Sequence, residues 1–434
     1  MKPRKIVFIG AGSFIFTRNL CRDILTFDAF RDCELWLVDI NPEHLEMARR
    51  MVQRYVDEGH YPATVHCTTD RCEALPGADG ILCTIQVGGY DALKDELGIP
   101  SRYGIEAAIG DTRGVWGFFC YLRTVQAIVD IAADAQRLCP DAVFLNYTNP
   151  MAMLTGYMQR YTPIKTVGLC HSVQVCAKRL LAGLGMEYDP TIRTLIAGIN
   201  HQAWLLDIRD KDGNDLYPEI KRRALARTEK HEDMVRYEIM KRFGYYVTES
   251  SEHSAEYTPY FIKDKYPELI ERFNIPLDEY PRRCIKNIEK WATQRDELTN
   301  NPNLRHELSR EYASHIMAAM ETNTPYKIGG NVINTGLITN LPQNACVEVP
   351  CLVDGSGVTP CYVGDLPEQC AALNRTNINE QLLTIEAAKT LKKEYIYQAA
   401  LMDPHMQSEL SIDDIVALCD DMIEAHKGWL PEYH

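Results

Sequence analysis

At 434 residues the chain has room for about two domains of ordinary size. Its 46% hydrophobic and 24% charged residues exclude a disordered or repetitive protein. The net charge of −14 is spread along the chain, so no basic surface is expected that could track nucleic-acid phosphates.

In chain order, Lys5 to Ile9 reads as a buried strand, Gly10-Ala11-Gly12 as a tight turn, and Phe16 to Phe27 as an amphipathic helix. Glu34 to Asp39 is a second strand, Pro42 to Glu58 a helix with proline in its first turn, and Ala63 to Cys67 a third strand. Gly80 to Gln86, a helix from Tyr121 to Leu138, and strands at Ala142 to Tyr147, Lys165 to Cys170 and Thr194 to Ile199 continue the alternation. Short apolar strands between helices predict a doubly wound, parallel, Rossmann-like sheet over residues 1–199. From 200 to 434 helical patterns dominate (Pro218 to Phe243, Ser309 to Glu321, Asn379 to Ala399, Ile412 to His426), with shorter β-like pieces between them. This predicts a second, mainly helical α+β domain that carries substrate, metal and oligomerisation surfaces.

The segment Met1 to Gly10 lacks the pattern of a signal peptide, and no apolar run approaches the roughly 20 residues that span a bilayer. No membrane partner is expected. The 15 cysteines include no Cys-x-x-Cys pair, and an odd number cannot be fully paired within one chain. Reduced thiols in the cytoplasm are the expectation, and most of these cysteines read as small buried hydrophobes.

Gly10 and Gly12, between a strand and a helix, leave space for a pyrophosphate to meet backbone amides and the positive end of the helix. The third glycine of the usual fingerprint is replaced by Ile15. Asp39 ends the second strand, where a carboxylate accepts ribose hydroxyls and repels a 2′-phosphate. The pair favours NAD over NADP. A doubly wound domain without a nucleotide is the competing reading.

Three polar clusters follow strand ends: Asn146-Tyr147-Thr148-Asn149-Pro150, Cys170-His171-Ser172-Val173 and Asn200-His201. Open α/β sheets bind ligands on this edge. A Cys170 thiolate and a His201 imidazole are candidate metal ligands that leave positions open to substrate oxygens. Alternatively, Cys170 packs in the core and His201 bonds to a carbonyl.

These segments resemble glycoside hydrolase family 4, and within it the α-galactosidase branch. The resemblance runs through Gly10-Ala11-Gly12-Ser13, Gly110-Asp111-Thr112, Asn146 to Met151, Gly168 to Val173 and Gly198 to His201. It continues through Thr248 to His253, Glu256-Tyr257-Thr258-Pro259, Asn340-Leu341-Pro342 and Val347-Glu348-Val349. It implies an overall architecture like lactate and malate dehydrogenases, and hydrolysis of α-galactosides with NAD and Mn²⁺ or another divalent metal. The implied reaction oxidises C3 of the sugar, removes the C2 proton, eliminates the aglycone, adds water and returns the hydride.

By the same resemblance Cys170 and His201 hold the metal, Tyr257 is the base, and His171 assists the leaving group. Asp111 and Asn149 contact sugar hydroxyls, with Asn149 beside the metal-bound oxygens and cofactor. Ser13 belongs to the NAD turn. Each has a plainer alternative: Asn149 before Pro150 as a turn initiator, Asp111 as a helix cap, Tyr257 and Tyr260 as packing, His253 and Glu252 as supports for the site.

One departure stands out: the family's glycine-rich stretch after Gly-Asp-Thr is here Arg113-Gly114-Val115-Trp116-Gly117-Phe118. Arg113, with His253, is accordingly expected to face substrate. Activity on α-galacturonides or α-glucosides is the alternative within the family. A 2-hydroxy-acid dehydrogenase is the alternative outside it. The resemblance also implies a homodimer or homotetramer.

Overall fold

A computed structural model describes residues 3–287, 289 and 306–434. Among these residues twelve strands form one mixed sheet. They are β1 (Lys5–Ile9), β2 (Glu34–Val38), β3 (Thr64–Thr68), β4 (Gly80–Cys83), β5 (Val143–Asn146), β6 (Lys165–Gly168), β7 (Arg193–Ile199), β8 (Gln202–Arg209), β9 (Tyr246–Val247), β10 (Tyr326–Ile333), β11 (Cys346–Asp354) and β12 (Gly357–Pro360). The order is β3-β2-β1-β4-β5-β6-β10-β11-β7-β8-β9, with β12 paired to β11.

Six strands, β1 to β6, are parallel and keep the expected rhythm. Both faces are covered. Ile6 and Phe8 point into one apolar cluster with Leu35, Leu37, Leu82 and Leu145, while Val7 and Ile9 point into a second with Ile81 and Phe144. The chain order reverses between β1 and β4, which opens a crevice at their carboxyl ends.

The expected continuation of the parallel sheet into Thr194 to Ile199 is corrected here. β7 is antiparallel to β8 and β11, and β10 and β11 lie between it and β6. The junctions are single register pairs, Asn331 with Gly168 and Glu348 with Gly198. The boundary expected at 199/200 therefore falls within the β7–β8 hairpin, inside a continuous sheet.

Strands β10 and β11 span 8 and 9 residues, longer than the short β-like pieces expected between the helices. Burial on both faces removes the alternation that marks a half-exposed strand. The pattern from Pro218 to Phe243 is two helices, Tyr217–Ala226 and Met234–Phe243, and that from Asn379 to Ala399 belongs to Glu368–Thr390 and Lys393–Met402. Leu391 ends the former with a left-handed φ of 57°, its N–H bonded to the Ala387 carbonyl.

By length and mean composition the helix Gly114–Leu138 could span a bilayer, although charged residues interrupt its apolar runs. Within the fold, 72% of its apolar window is buried, as in a core helix.

Candidate active site

At the β1–β4 crevice Gly10 adopts φ +91°, and a Cβ there would lie 2.7 Å from the carbonyl carbon of Thr84. Only glycine fits. The N–H of Gly12 donates to Asp39 Oδ2 at 2.7 Å, and that of Asn41 to Oδ1 at 2.9 Å. A Cβ on Gly12 would sit 2.6 Å from the same Oδ2, so the cradle between turn and carboxylate exists because both positions lack side chains. Ser13 caps the helix Phe14–Thr26 without a side-chain bond, which leaves amides of its first turn available to an anion. Ile15 is 48% exposed and does not fill the crevice interior.

On the same edge Cys170 follows β6 at the start of the helix His171–Gly183, and His201 occupies the β7–β8 turn with φ 63°. Glu249 joins them from the loop after β9, and the candidate ligand atoms of all three lie within 4.8 Å of one another. Glu249 Oε2 is 3.9 Å from Cys170 Sγ and 3.7 Å from His201 Nε2.

Sulfur, nitrogen and oxygen donors converging in a largely dry site are a donor set for a divalent cation. Their proton balance points the same way. Burial, with Glu249 and Glu348 nearby, pushes the Cys170 thiol well up, so a thiolate there needs a cation. Burial and the neighbouring His253 lower His201 to about 4, which keeps the imidazole neutral, as a ligand must be. Burial alone would raise Glu249, but His201, His253 and the Ser250 N–H outweigh it and hold the carboxyl at about 2.

Tyr257 closes the helix Ser251–Glu256, and its buried phenol donates to Thr112 Oγ1 at 3.1 Å. Burial, and Asp111 behind it, push the phenol upward, opposed by Thr112 and Arg113. His253 Nε2 lies 3.7 Å from Asp111 Oδ1, and its ring meets that of His201 edge-on at 4.6 Å. Burial would lower His253, but Asp111 and Glu249 prevail and raise it to about 9.

Residues 5–186 match the profile of family 4 glycosyl hydrolases, and residues 196–406 that of the same family's C-terminal domain. The chain belongs to glycosyl hydrolase family 4. It is 57% identical over 432 residues to an α-galactosidase of Bacillus subtilis, covering 99% of this chain and 100% of that one. A 6-phospho-α-glucosidase from gut microorganisms, solved in complex with NAD and Mn²⁺, shares the fold at TM-score 0.82 and 20% identity over the whole of both chains. Lactate dehydrogenase from Eimeria maxima matches more loosely, at TM-score 0.52 and 14% identity over 90% of this chain and 97% of that one. The dehydrogenase-like architecture is thus shared by the family 4 fold.

Within this family 4 chain the expected site residues have different placements. Cys170 and His201 meet at Glu249, His253 and Tyr257 pack against the His201 ring, and Asp111 joins through His253. His171 is half-exposed, with Nδ1 3.8 Å from Glu311 Oε1. Asn149 is exposed and accepts the Met151 N–H at 3.3 Å, which is the turn-initiating geometry.

Arg113 does not face substrate. It is 1% exposed, and Nε, Nη1 and Nη2 are all committed inside the protein, to Glu380, to the Glu256 carbonyl, and to Glu380 with Asp403. The reason is local. Gly114, at φ +63°, begins the core helix and allows Asp403 Oδ2 to approach within 3.0 Å of its missing Cβ. Trp116 is buried as well, against His405. The bulk that replaces glycine thus fills the interior.

Sequence reasoning missed Glu249 as a candidate ligand. Its segment, Thr248 to His253, was part of the resemblance, but an acidic residue in a polar loop carries no spacing signal of its own.

Proposed function

We propose that this chain hydrolyses α-galactosides with NAD and a divalent metal, Mn²⁺ first, as catalytic cofactors. The observation that carries the proposal is the Cys170–His201–Glu249 trio, joined through Thr112 to the Tyr257 phenol on the sheet edge that also holds the Gly12–Asp39 cradle. The identity to the B. subtilis α-galactosidase supports an α-galactoside as substrate. α-Galacturonides and α-glucosides are the second choice.

When bound, NAD supplies reversible oxidation at C3 of the sugar and the metal supplies Lewis-acid stabilisation of charge developing at the adjacent oxygens. The chain does the rest. The Gly10–Gly12 turn leaves room for the pyrophosphate, the free amides in the first turn of the helix Phe14–Thr26 hold it, and Asp39 takes the ribose hydroxyls. Cys170, His201 and Glu249 hold the metal.

Tyr257 is the base that accepts the C2 proton at its phenolic oxygen; burial alone holds the phenol protonated, and a cation held by Cys170, His201 and Glu249 would favour the ionised form that a base requires. His171 donates a proton to the departing oxygen. Asp111, His253 and Asn149 orient sugar hydroxyls. Arg113 takes no part in sugar binding. A reducing cytoplasm suits a chain whose 15 cysteines are all free thiols, and the family likeness supports a homodimer or homotetramer.

The test is a panel of aryl α-glycosides assayed with NAD, Mn²⁺ and a thiol reductant, with product analysed from D₂O. The galactoside should be cleaved fastest, without net NADH, and its product should carry deuterium at C2. Stoichiometric NADH would instead identify a dehydrogenase. Full activity after removal of NAD and metal would sink the proposal.

A further inference from the structure

We propose that Thr112 is a positioning residue whose hydroxyl couples the metal ligand His201 to the base Tyr257. The inference rests on the reading of Tyr257 as the base. Thr112 is 4% exposed, and its Oγ1 lies 3.1 Å from the Tyr257 oxygen and 3.4 Å from His201 Nδ1. One side-chain oxygen therefore touches both halves of the site.

The hydrogen positions follow from the neighbours. His201 Nε2 faces Glu249 and the Cys170 thiol, so it must present its lone pair to a cation, and Nδ1 then carries the proton. That N–H donates to Thr112 Oγ1. The hydroxyl hydrogen of Thr112 remains free to turn toward Tyr257. When Tyr257 holds its proton, its O–H donates to Oγ1, as the structure has it; when the oxygen is ionised and ready to take the C2 proton, Thr112 donates to it. In both states the base keeps a partner and its aim.

The backbone on either side is immobilised for the task. Glu256 Oε1 accepts the N–H groups of Ala108, Ile109 and Gly110 at 2.7, 2.6 and 3.1 Å, while Arg113 returns a bond to the Glu256 carbonyl. The carbonyl of Tyr257 is held by Gln202 Nε2 at 3.3 Å and Asn377 Nδ2 at 3.2 Å, and Gln202 is the residue after His201. A hydroxyl pinned between two fixed strands of backbone has little freedom to misplace the phenol.

Three variants of the intact enzyme test this: Thr112→Val, which removes the hydroxyl at constant shape, Thr112→Ser, which restores it, and Tyr257→Phe. Two readouts are used, Mn²⁺ binding without substrate by electron paramagnetic resonance, and cleavage of an aryl α-galactoside deuterated at C2. Thr112→Val should weaken Mn²⁺ binding roughly 10-fold, as loss of a partner to a ligating histidine does. It should also lower kcat at least as much, leave KM within about three-fold, and enlarge the C2 isotope effect. Thr112→Ser should recover most of each loss.

Valine with parental kcat and Mn²⁺ affinity, or serine as impaired as valine, overturns the coupling. If valine does not fold, Thr112→Ala takes its place beside serine with the same criteria. An inert Tyr257→Phe beside a fully active Thr112→Val overturns only the role of Thr112, whereas a fully active Tyr257→Phe overturns the base assignment on which it rests.

Discussion

Arg113 and Asp403 form a fully buried ion pair, through Nη2 and Oδ2, between the start of the core helix and the start of the helix Pro404–Glu409. Glu380 shares the guanidinium, and Asp403 also caps its own helix by accepting from His405 and Met406. Removing the cation leaves two carboxylates in the dry interior. Arg113→Met should cost about 3–5 kcal/mol in chemical denaturation. Lysine should not restore it, because one ammonium cannot span two carboxylates and a carbonyl at once. Rescue by lysine to parental stability would show that charge alone matters at this position.

Asp39 should prove essential to NAD affinity. Its carboxylate organises the turn through Gly12 and, in the proposed complex, accepts from ribose. Hydrogen bonds to a charged group contribute about 1.5–3 kcal/mol, so Asp39→Ala should weaken NAD binding roughly 10- to 100-fold in a fluorescence titration. Parental affinity in that variant argues against a dinucleotide at this crevice.

Glu249 should matter to metal binding alone. Glu249→Gln removes the carboxylate charge from the trio while preserving the side chain's shape. Mn²⁺ affinity should fall roughly 10- to 100-fold, with NAD affinity unchanged. An unchanged Mn²⁺ titration would leave Cys170 and His201 as the ligands without it.

A pH effect is expected from Glu348, which burial raises to about 8 from an ordinary value of 4.5. Its Oε1 accepts from Asn331 at 3.0 Å, and its Oε2 has no partner. Between those two pH values the folded chain keeps a proton that the unfolded chain has released, so folding stability declines as pH rises through the window. In metal-stripped protein, Glu348→Gln should flatten that decline, by on the order of a few kcal/mol between pH 5 and pH 8. Urea melts at the two pH values decide it, and parallel losses in parent and variant would remove Glu348 from consideration.

Much of this was legible in the chain because it is local. Strand β1 and the helix Pro42–Glu58 occupy the expected residues, since apolar runs, turn glycines and a first-turn proline act within a few positions. Asp39 and Cys170 stand at strand ends whose position follows from that alternation, whereas His201 reaches the site from an antiparallel β7–β8 turn that the alternation does not describe. The chemical identity of the edge was therefore written in sequence order.

The remainder depended on partners far along the chain. Arg113 meets Asp403 across 290 positions, and Cys170 meets Glu249 across 79, separations at which no periodicity carries information. Strands β10 and β11 enter the sheet beside β6 because their two buried faces match the space left there, a matter of packing rather than pattern. Sequence alone determined which residues reach the edge of the sheet; tertiary packing decided which of them face one another, because a side chain's direction is set by whatever it buries against.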